Sequence, residues 1–196
     1  GLPLLVVAGL VWLRTHNALT RDHAKVQEAW AGIEVQLARR HDLIPNLVRV
    51  ARAALDHETA LVQKLTDLRA QAVAALQRHD KAAIQSCEQD LSRAMAQVVT
   101  LIASLPPGTA TANLALLQRQ IEETEDQIAA ARRLYNGNVA ALNARIAGFP
   151  GSLMAAGAGV QAMEYDRSPL SVADLTRSAG DLLDTAWNSP DRKDPQ

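Results

Sequence analysis

The sequence predicts an all-α protein: an antiparallel up-down four-helix bundle, packed like a coiled coil, with a transmembrane helix running into its first helix and an extra amphipathic helix at its C-terminal end. Three observations carry this. Hydrophobic residues make up 48% of the 196 residues and aromatics only 3%, so the core is aliphatic and rich in Ala and Leu, the strongest helix formers. Apolar residues recur at alternating spacings of three and four in four successive runs, which is a helical stripe close to the heptad period. An uncharged apolar run opens the chain.

That run, residues 1–13, reads GLPLLVVAGLVWL and is followed by Arg14, His16 and Arg21. Trp12 beside basic residues is the pattern of a membrane-spanning helix leaving the bilayer. A full span needs about 20 apolar residues, so this stretch is expected to be the end of a span that begins upstream of Gly1. A signal-peptide core has similar length, but no small-residue cleavage site follows it. A buried core segment is the remaining alternative. By the positive-inside rule Arg14, Arg21 and Lys25 place the bulk of the chain in the cytoplasm.

Residues 14–148 hold the bundle. Val26, Trp30, Ile33 and Leu37 mark the first helix, and Asp42 and Pro45 predict a corner, because Asp caps a helix start and proline is tolerated in the first turn. The second run is Leu47, Val50, Ala54, Leu61, Leu65, Leu68, Ala72 and Leu76, up to a polar break at His79, Asp80 and Lys81. The third is Ile84, Cys87, Leu91, Ala94, Val98, Leu101 and Leu105, stopped by Pro106-Pro107-Gly108. The fourth is Leu114, Leu117, Ile121, Thr124, Ile128, Ala131, Tyr135, Leu142 and Ile146, ending at Gly148-Phe149-Pro150-Gly151. Short connections make the helices antiparallel neighbours. An apolar, membrane-proximal loop is expected over 149–170, a fifth helix over 171–187 through Val172, Leu175, Leu182, Leu183 and Ala186, and a disordered polar tail over 188–196.

Ala29-Trp30-Ala31-Gly32-Ile33-Glu34 and the following Arg39-Arg40-His41-Asp42-Leu43-Ile44-Pro45-Asn46-Leu47-Val48 resemble the first signature of the LemA family. A second block, from Glu122 through Arg132-Arg133-Leu134-Tyr135-Asn136 to Val139, Asn143 and Phe149-Pro150, resembles that family's last long helix and its exit. Gly137 and Asn138 stand where the family more often has helix formers. The resemblance implies a single-pass protein of the bacterial inner membrane with an antiparallel helical domain. It implies no established enzymatic activity.

Candidate chemistry is sparse. A net charge of -1 gives no basic surface for nucleic acid. Asp56-His57-Glu58 lacks the second His of a zinc protease motif, and His57 is expected on the bundle seam as a hydrogen-bonded core residue. Arg39, Arg40 and Asn46 outline a possible anion corner at the start of the second helix, where amides would point outward; the plainer reading pairs the arginines with acidic neighbours. Glu122, Glu123, Glu125 and Asp126 read as a solvated face, since no Glu-x-x-His motif accompanies them. Cys87 reads as an inert core thiol, and Tyr135 as a core residue whose hydroxyl finds a partner. Gly157-Ala158-Gly159 has neither the preceding strand nor the third glycine of a dinucleotide loop. No catalytic residue, metal or cofactor is expected.

The near end of the bundle is more informative. The fourth helix returns towards the membrane, so the apolar segment 149–160 is expected beside the bilayer. There it meets lipid headgroups or a neighbouring subunit, or else folds back over the end of the bundle. Phe149, Pro150, Leu153, Met154 and Val160, with Leu175 and Leu182 of the fifth helix, form the expected interaction surface. The leading function is a non-enzymatic membrane scaffold or adaptor with lipid and protein partners. The alternatives are a self-assembling membrane organiser, and a small-ligand or anion binder or enzyme using the Arg39–Arg40 corner.

Overall fold

The computed structural model describes residues 1–106, 112–168 and Val172. Among them are five helices and no strand: α1 Leu2–Ala54, α2 Thr59–Gln77, α3 Lys81–Ala103, α4 Ala112–Ala147 and the single turn α5 Gly151–Met154. The all-α expectation holds, as does the continuity of the apolar start with the first bundle helix, since both lie in α1. The fifth helix predicted over 171–187, with Leu175 and Leu182, and the tail over 188–196 lie outside the described residues, apart from a helical, buried Val172.

The chain divides into two compact units. The first comprises Gly1–Leu37 and Gln127–Arg167, the second Ala38–Asp126 and Ser168–Gln196. The second unit holds the main aliphatic core, with Ile44, Leu47 and Ala51 of α1, Val62, Leu65 and Leu68 of α2, Leu91, Met95 and Val98 of α3, and Leu114, Leu117 and Ile121 of α4. Each set repeats at three or four residues, which gives each helix one buried stripe.

The corner predicted at residues 42–46 is not there. α1 passes through Pro45, and the first bundle corner comes at residues 55–58, which moves Leu47, Val50 and Ala54 from the second helix to the first. Proline inside a helix removes the N–H that would bond to the carbonyl four residues back. Here that carbonyl belongs to His41, and Arg69 Nε of α2 donates to it at 2.8 Å. Pro45 itself is exposed. An orphaned acceptor is thus satisfied from the next helix, and α1 continues.

α2 and α3 are joined by a turn of three residues. The N–H of Asp80 donates to Ala75 O and that of His79 to Leu76 O, the double bond of a Schellman motif. His79 takes the left-handed position at φ 52°. Asp80 then caps α3, its carboxylate accepting from Ala83 N at 3.1 Å, so one residue ends a helix and starts the next.

In the first unit α1 and α4 lie side by side. Arg145 pairs with Asp22 at 2.6 Å, Asn138 Nδ2 donates to Lys25 O at 3.1 Å, and Trp30 meets Tyr135 edge-on with ring centroids 5.4 Å apart. Residue numbers rise on α1 as they fall on α4, so the pair is antiparallel. Leu19, Val26, Ala29, Ile33 and Leu37 of α1 are buried, as are Ile128, Tyr135, Val139 and Leu142 of α4. α4 runs unbroken through Gly137 and Asn138.

Beyond α4 the chain turns sharply. The Phe149-Pro150 peptide is cis, and Gly151 lies so close to Arg145 O that an added Cβ would stand 2.0 Å from it. No residue with a side chain fits there without moving backbone.

Candidate functional site

Arg40 follows Leu37 by three residues and precedes Ile44 by four, which places it on the buried stripe of α1. Glu88 occupies the same kind of position in α3, four residues after Ile84, and Glu125 in α4, four after Ile121. The bundle of the second unit therefore brings three charged side chains to one level of its core, at 1%, 2% and 2% exposure. These fractions exclude solvent as the partner, and the groups bond to one another, with Arg40 Nε alone of the guanidinium nitrogens left without a hydrogen-bond partner. Arg40 Nη1 donates to Glu125 Oε1 at 3.0 Å and to Ser92 Oγ at 2.9 Å. Arg40 Nη2 donates to Glu88 Oε2. His41 Nε2 lies 2.5 Å from the other oxygen of Glu88, and the second oxygen of Glu125 accepts from Val172 N at 3.2 Å.

Burial alone would push the Glu88 carboxyl up. The charge of Arg40 and the hydrogen bonds from His41 and Arg40 outweigh it and hold the group below the usual carboxylate range. Burial likewise disfavours the Arg40 guanidinium, and the two carboxylates reverse that, so its affinity for the proton is raised. Opposite charges in a low-dielectric interior stabilise each other's ionised forms. The arrangement ties α1, α3 and α4 together and fixes their register. It presents no charge to solvent.

This relocates several residues singled out from sequence. Arg40 is committed to carboxylates. Arg39 and Asn46 are exposed, with Asn46 Oδ1 accepting from Arg49. Because α1 has no start near residue 42, the outward-pointing amides required by an anion corner are absent. Glu125 departs from the expected solvated acidic face, on which Glu122, Glu123 and Asp126 do remain exposed. His57 sits exposed in the α1–α2 turn, not on the seam. Cys87 is only half-buried beside Glu88, where burial and the neighbouring Glu88 and Asp90 charges push its thiol up.

A second constellation holds the chain that follows α5. Asn143 donates from Nδ2 to Met163 O and accepts from Met163 N, both at 2.9 Å. Asn136 does the same with Asp166, at 3.0 and 2.8 Å. Tyr135, fully buried as expected of a core residue, donates its hydroxyl to Glu164 O at 2.9 Å, and Arg132 pairs with Asp166 at 3.2 Å. Seven residues of helix rise about 10.5 Å, and three extended residues span about 10 Å. Asn136 and Asn143 are therefore spaced to grip residues 166 and 163 of an antiparallel extended strap, each amide replacing a strand's pair of backbone bonds.

The apolar segment 149–160 divides in two. Met154, Ala155 and Val160 are buried and Pro150 is half-buried, whereas Phe149 is 84% and Leu153 72% exposed. On α1, residues 2–14 are exposed throughout, and cover begins at Thr15 and His16. In the second unit a shallow cavity of about 600 Å³ is lined by Glu58, Leu61, Arg93, Ala96, Gln97, Thr100 and Leu101. Among the described residues no group of three or more His, Cys, Asp or Glu is placed to hold a metal ion.

Sequence reasoning missed Arg40–Glu88–Glu125 because it followed the apolar residues and chose Cys87 and Thr124, next door, as stripe positions. The available signal was charge at seam spacing on three helices, one cation against two carboxylates. It missed the asparagine grip because Asn136 and Asn143 are informative only together with a strap that has no periodicity.

A search among curated proteins returns no match for the chain. A family model described as the LemA family matches residues 29–170, a span that includes the Arg40–Glu88–Glu125 cluster, both strap-holding asparagines and the strap itself. On that match, which covers well over half of the sequence and agrees with an all-α fold begun by a long apolar helix, the chain belongs to the LemA family.

Proposed function

We propose that this protein is a non-enzymatic scaffold or adaptor held in the bacterial inner membrane by a single pass, with its bulk in the cytoplasm. The observation that carries the reading is the commitment of the charged cluster to the fold: Arg40, Glu88 and Glu125 are buried and spend their charges on one another. Further support comes from α1, a helix that by length and composition could cross a membrane near its N-terminus. There Leu2, Leu4, Leu5, Val7, Leu10 and Leu13 are all more than half exposed, a solvation that lipid suits and water does not. The basic residues Arg14, Arg21 and Lys25 follow it, in keeping with a cytoplasmic side. On the bundle, Val35 at 53% and Leu134 at 61% exposure leave apolar surface for a protein partner.

The test is crosslinking in native membranes from benzophenone placed at Val35 and Leu134, read with the native mass of the detergent-extracted protein. A discrete partner other than lipid, reproduced from both positions, supports the adaptor. Adducts only to a second copy of the chain, with a multimeric native mass, replace it with a self-assembling organiser. A turnover activity that Arg39→Ala abolishes while the helical content is unchanged refutes the non-enzymatic reading.

A further inference from the structure

We infer that the α4–α5 turn is a second membrane contact, with the side chains of Phe149 and Leu153 seated in the headgroup layer beside the exit of α1. The inference rests on the reading of α1 as a membrane span.

Phe149 is the only phenylalanine in a chain of 3% aromatic content, yet it is 84% exposed, against the usual burial of this residue type. Leu153 leaves the same turn, its N–H donating to Pro150 O at 3.1 Å, and is 72% exposed. The turn is rigidly placed, with Met154 and Ala155 buried behind it and Gly151 packed on Arg145 O. Its level along α1 follows from the antiparallel register. Asp22 lies opposite Arg145, Lys25 opposite Asn138 and Trp30 opposite Tyr135. Continuing one turn of α4 past Arg145 brings Phe149 level with residues 14–18 of α1. The exposure of α1 agrees independently, since its cover begins at Thr15 and His16.

Leu13 is the last residue of the apolar run. With a helical rise of 1.5 Å per residue, Phe149 sits about 2–8 Å beyond it. Headgroup layers occupy about 5–7 Å on each side of the hydrocarbon, so the turn falls within one. Phe and Leu side chains are the ones that surface-lying elements bury at the boundary of headgroups and acyl chains. Exposed Arg14, Arg21 and Lys25 put positive charge on α1 at and just beyond this level, which complements anionic headgroups, while Arg145 is already paired with Asp22. Two contacts on one face, helix and turn, set the tilt of the first unit against the bilayer, which a single helix leaves free.

The test uses the full chain carrying Cys87→Ser, with single cysteines replacing Val7, Phe149, Leu153 or Leu134, each labelled with a small fluorophore. The proteins are reconstituted in vesicles of mixed zwitterionic and anionic phospholipid. Leu134 is exposed and lies about 22 Å back along α4 from Phe149, so it reports water. The expected result is quenching of the Phe149 and Leu153 labels by headgroup-attached nitroxide lipid, with iodide quenching several-fold weaker than at Leu134. Iodide quenching equal to that at Leu134, while the Val7 label is reached only by lipid nitroxides, overturns the inference and leaves the span intact. Protection from iodide without nitroxide quenching assigns the turn to a protein interface and also overturns it. A Val7 label open to iodide removes the span itself and the inference with it.

Discussion

Replacing Arg40 by leucine removes the guanidinium from between two carboxylates that are each 2% exposed. Glu88 keeps His41 on one oxygen and Glu125 keeps Val172 N on one. The oxygens that faced Arg40, and Ser92 Oγ, lose their donor. Breaking a buried ion pair from one side costs about 3–5 kcal/mol, because the surviving charge stays desolvated. For a chain of this size each kcal/mol moves the melting temperature by about 2–4 °C, so Arg40→Leu lowers it by about 6–20 °C in thermal unfolding followed by far-UV circular dichroism in detergent. The same reasoning makes a counterintuitive claim about the combined variant Arg40→Leu, Glu88→Met, Glu125→Leu. Removing all three charges eliminates their desolvation together, and well-packed apolar replacements of buried ion pairs are often neutral or stabilising by about 1–4 kcal/mol. The triple variant is expected to melt close to or above the parent. A single variant within about 2 °C of the parent, or a triple variant less stable than the single, would refute the account of the cluster as a mutually compensated network.

The remaining predictions concern neighbouring features. Glu88 has a folded-state pKa below its unfolded one, so its contribution is fully present above the ordinary carboxylate range and is lost as pH falls through the folded value. The melting gap between parent and Glu88→Gln therefore narrows on acidification, and a gap that widens would contradict the assignment. Arg69→Ala leaves the His41 carbonyl without a donor and costs about 1–3 kcal/mol. In a Pro45→Ala background the restored N–H takes over, so a double-mutant cycle shows coupling of at least about 0.5 kcal/mol, whereas additivity would sink the idea. Asn143→Ala or Asn136→Ala frees the strap: hydrogen exchange over residues 160–168 is expected to accelerate while the amides of α2 and α3 keep their protection. Gly137→Ala is expected to add about 0.5–1 kcal/mol, since the site is helical and a Cβ there meets nothing within 4 Å; a denaturant melt checks it.

The elements were legible where periodicity was clean. α3 begins and ends at the breaks its sequence marks, Lys81 and the residues before Pro106, because Asp80 is both a strong cap and the last residue of a tight turn. α1 was misread at Pro45 because a proline's cost depends on whether another group adopts the freed carbonyl, and Arg69, far along the chain, cannot be assigned that task from local sequence. The seam charges were invisible for a related reason. Glu125 looks like its exposed neighbours Glu122 and Glu123, and only the opposing Arg40 makes its burial tolerable. In the turn after α4 the sequence showed an apolar segment but not which side chains would be turned inward. That division accompanies a close approach of Gly151 to Arg145, a tertiary contact that local sequence does not display, with Met154 inside and Phe149 and Leu153 outside.

The most direct test of the central claim, a helical bundle tethered through the apolar start of α1, is alkaline extraction of membranes carrying the full chain or the variant Val6→Arg, Leu10→Arg. Each arginine within the span opposes insertion by about 2.5–3.5 kcal/mol. The account predicts that the parent stays with the membrane pellet and that the variant is released with its helical content outside α1's first turns preserved. A parent extracted at high pH, or a variant retained as firmly as the parent, would contradict it.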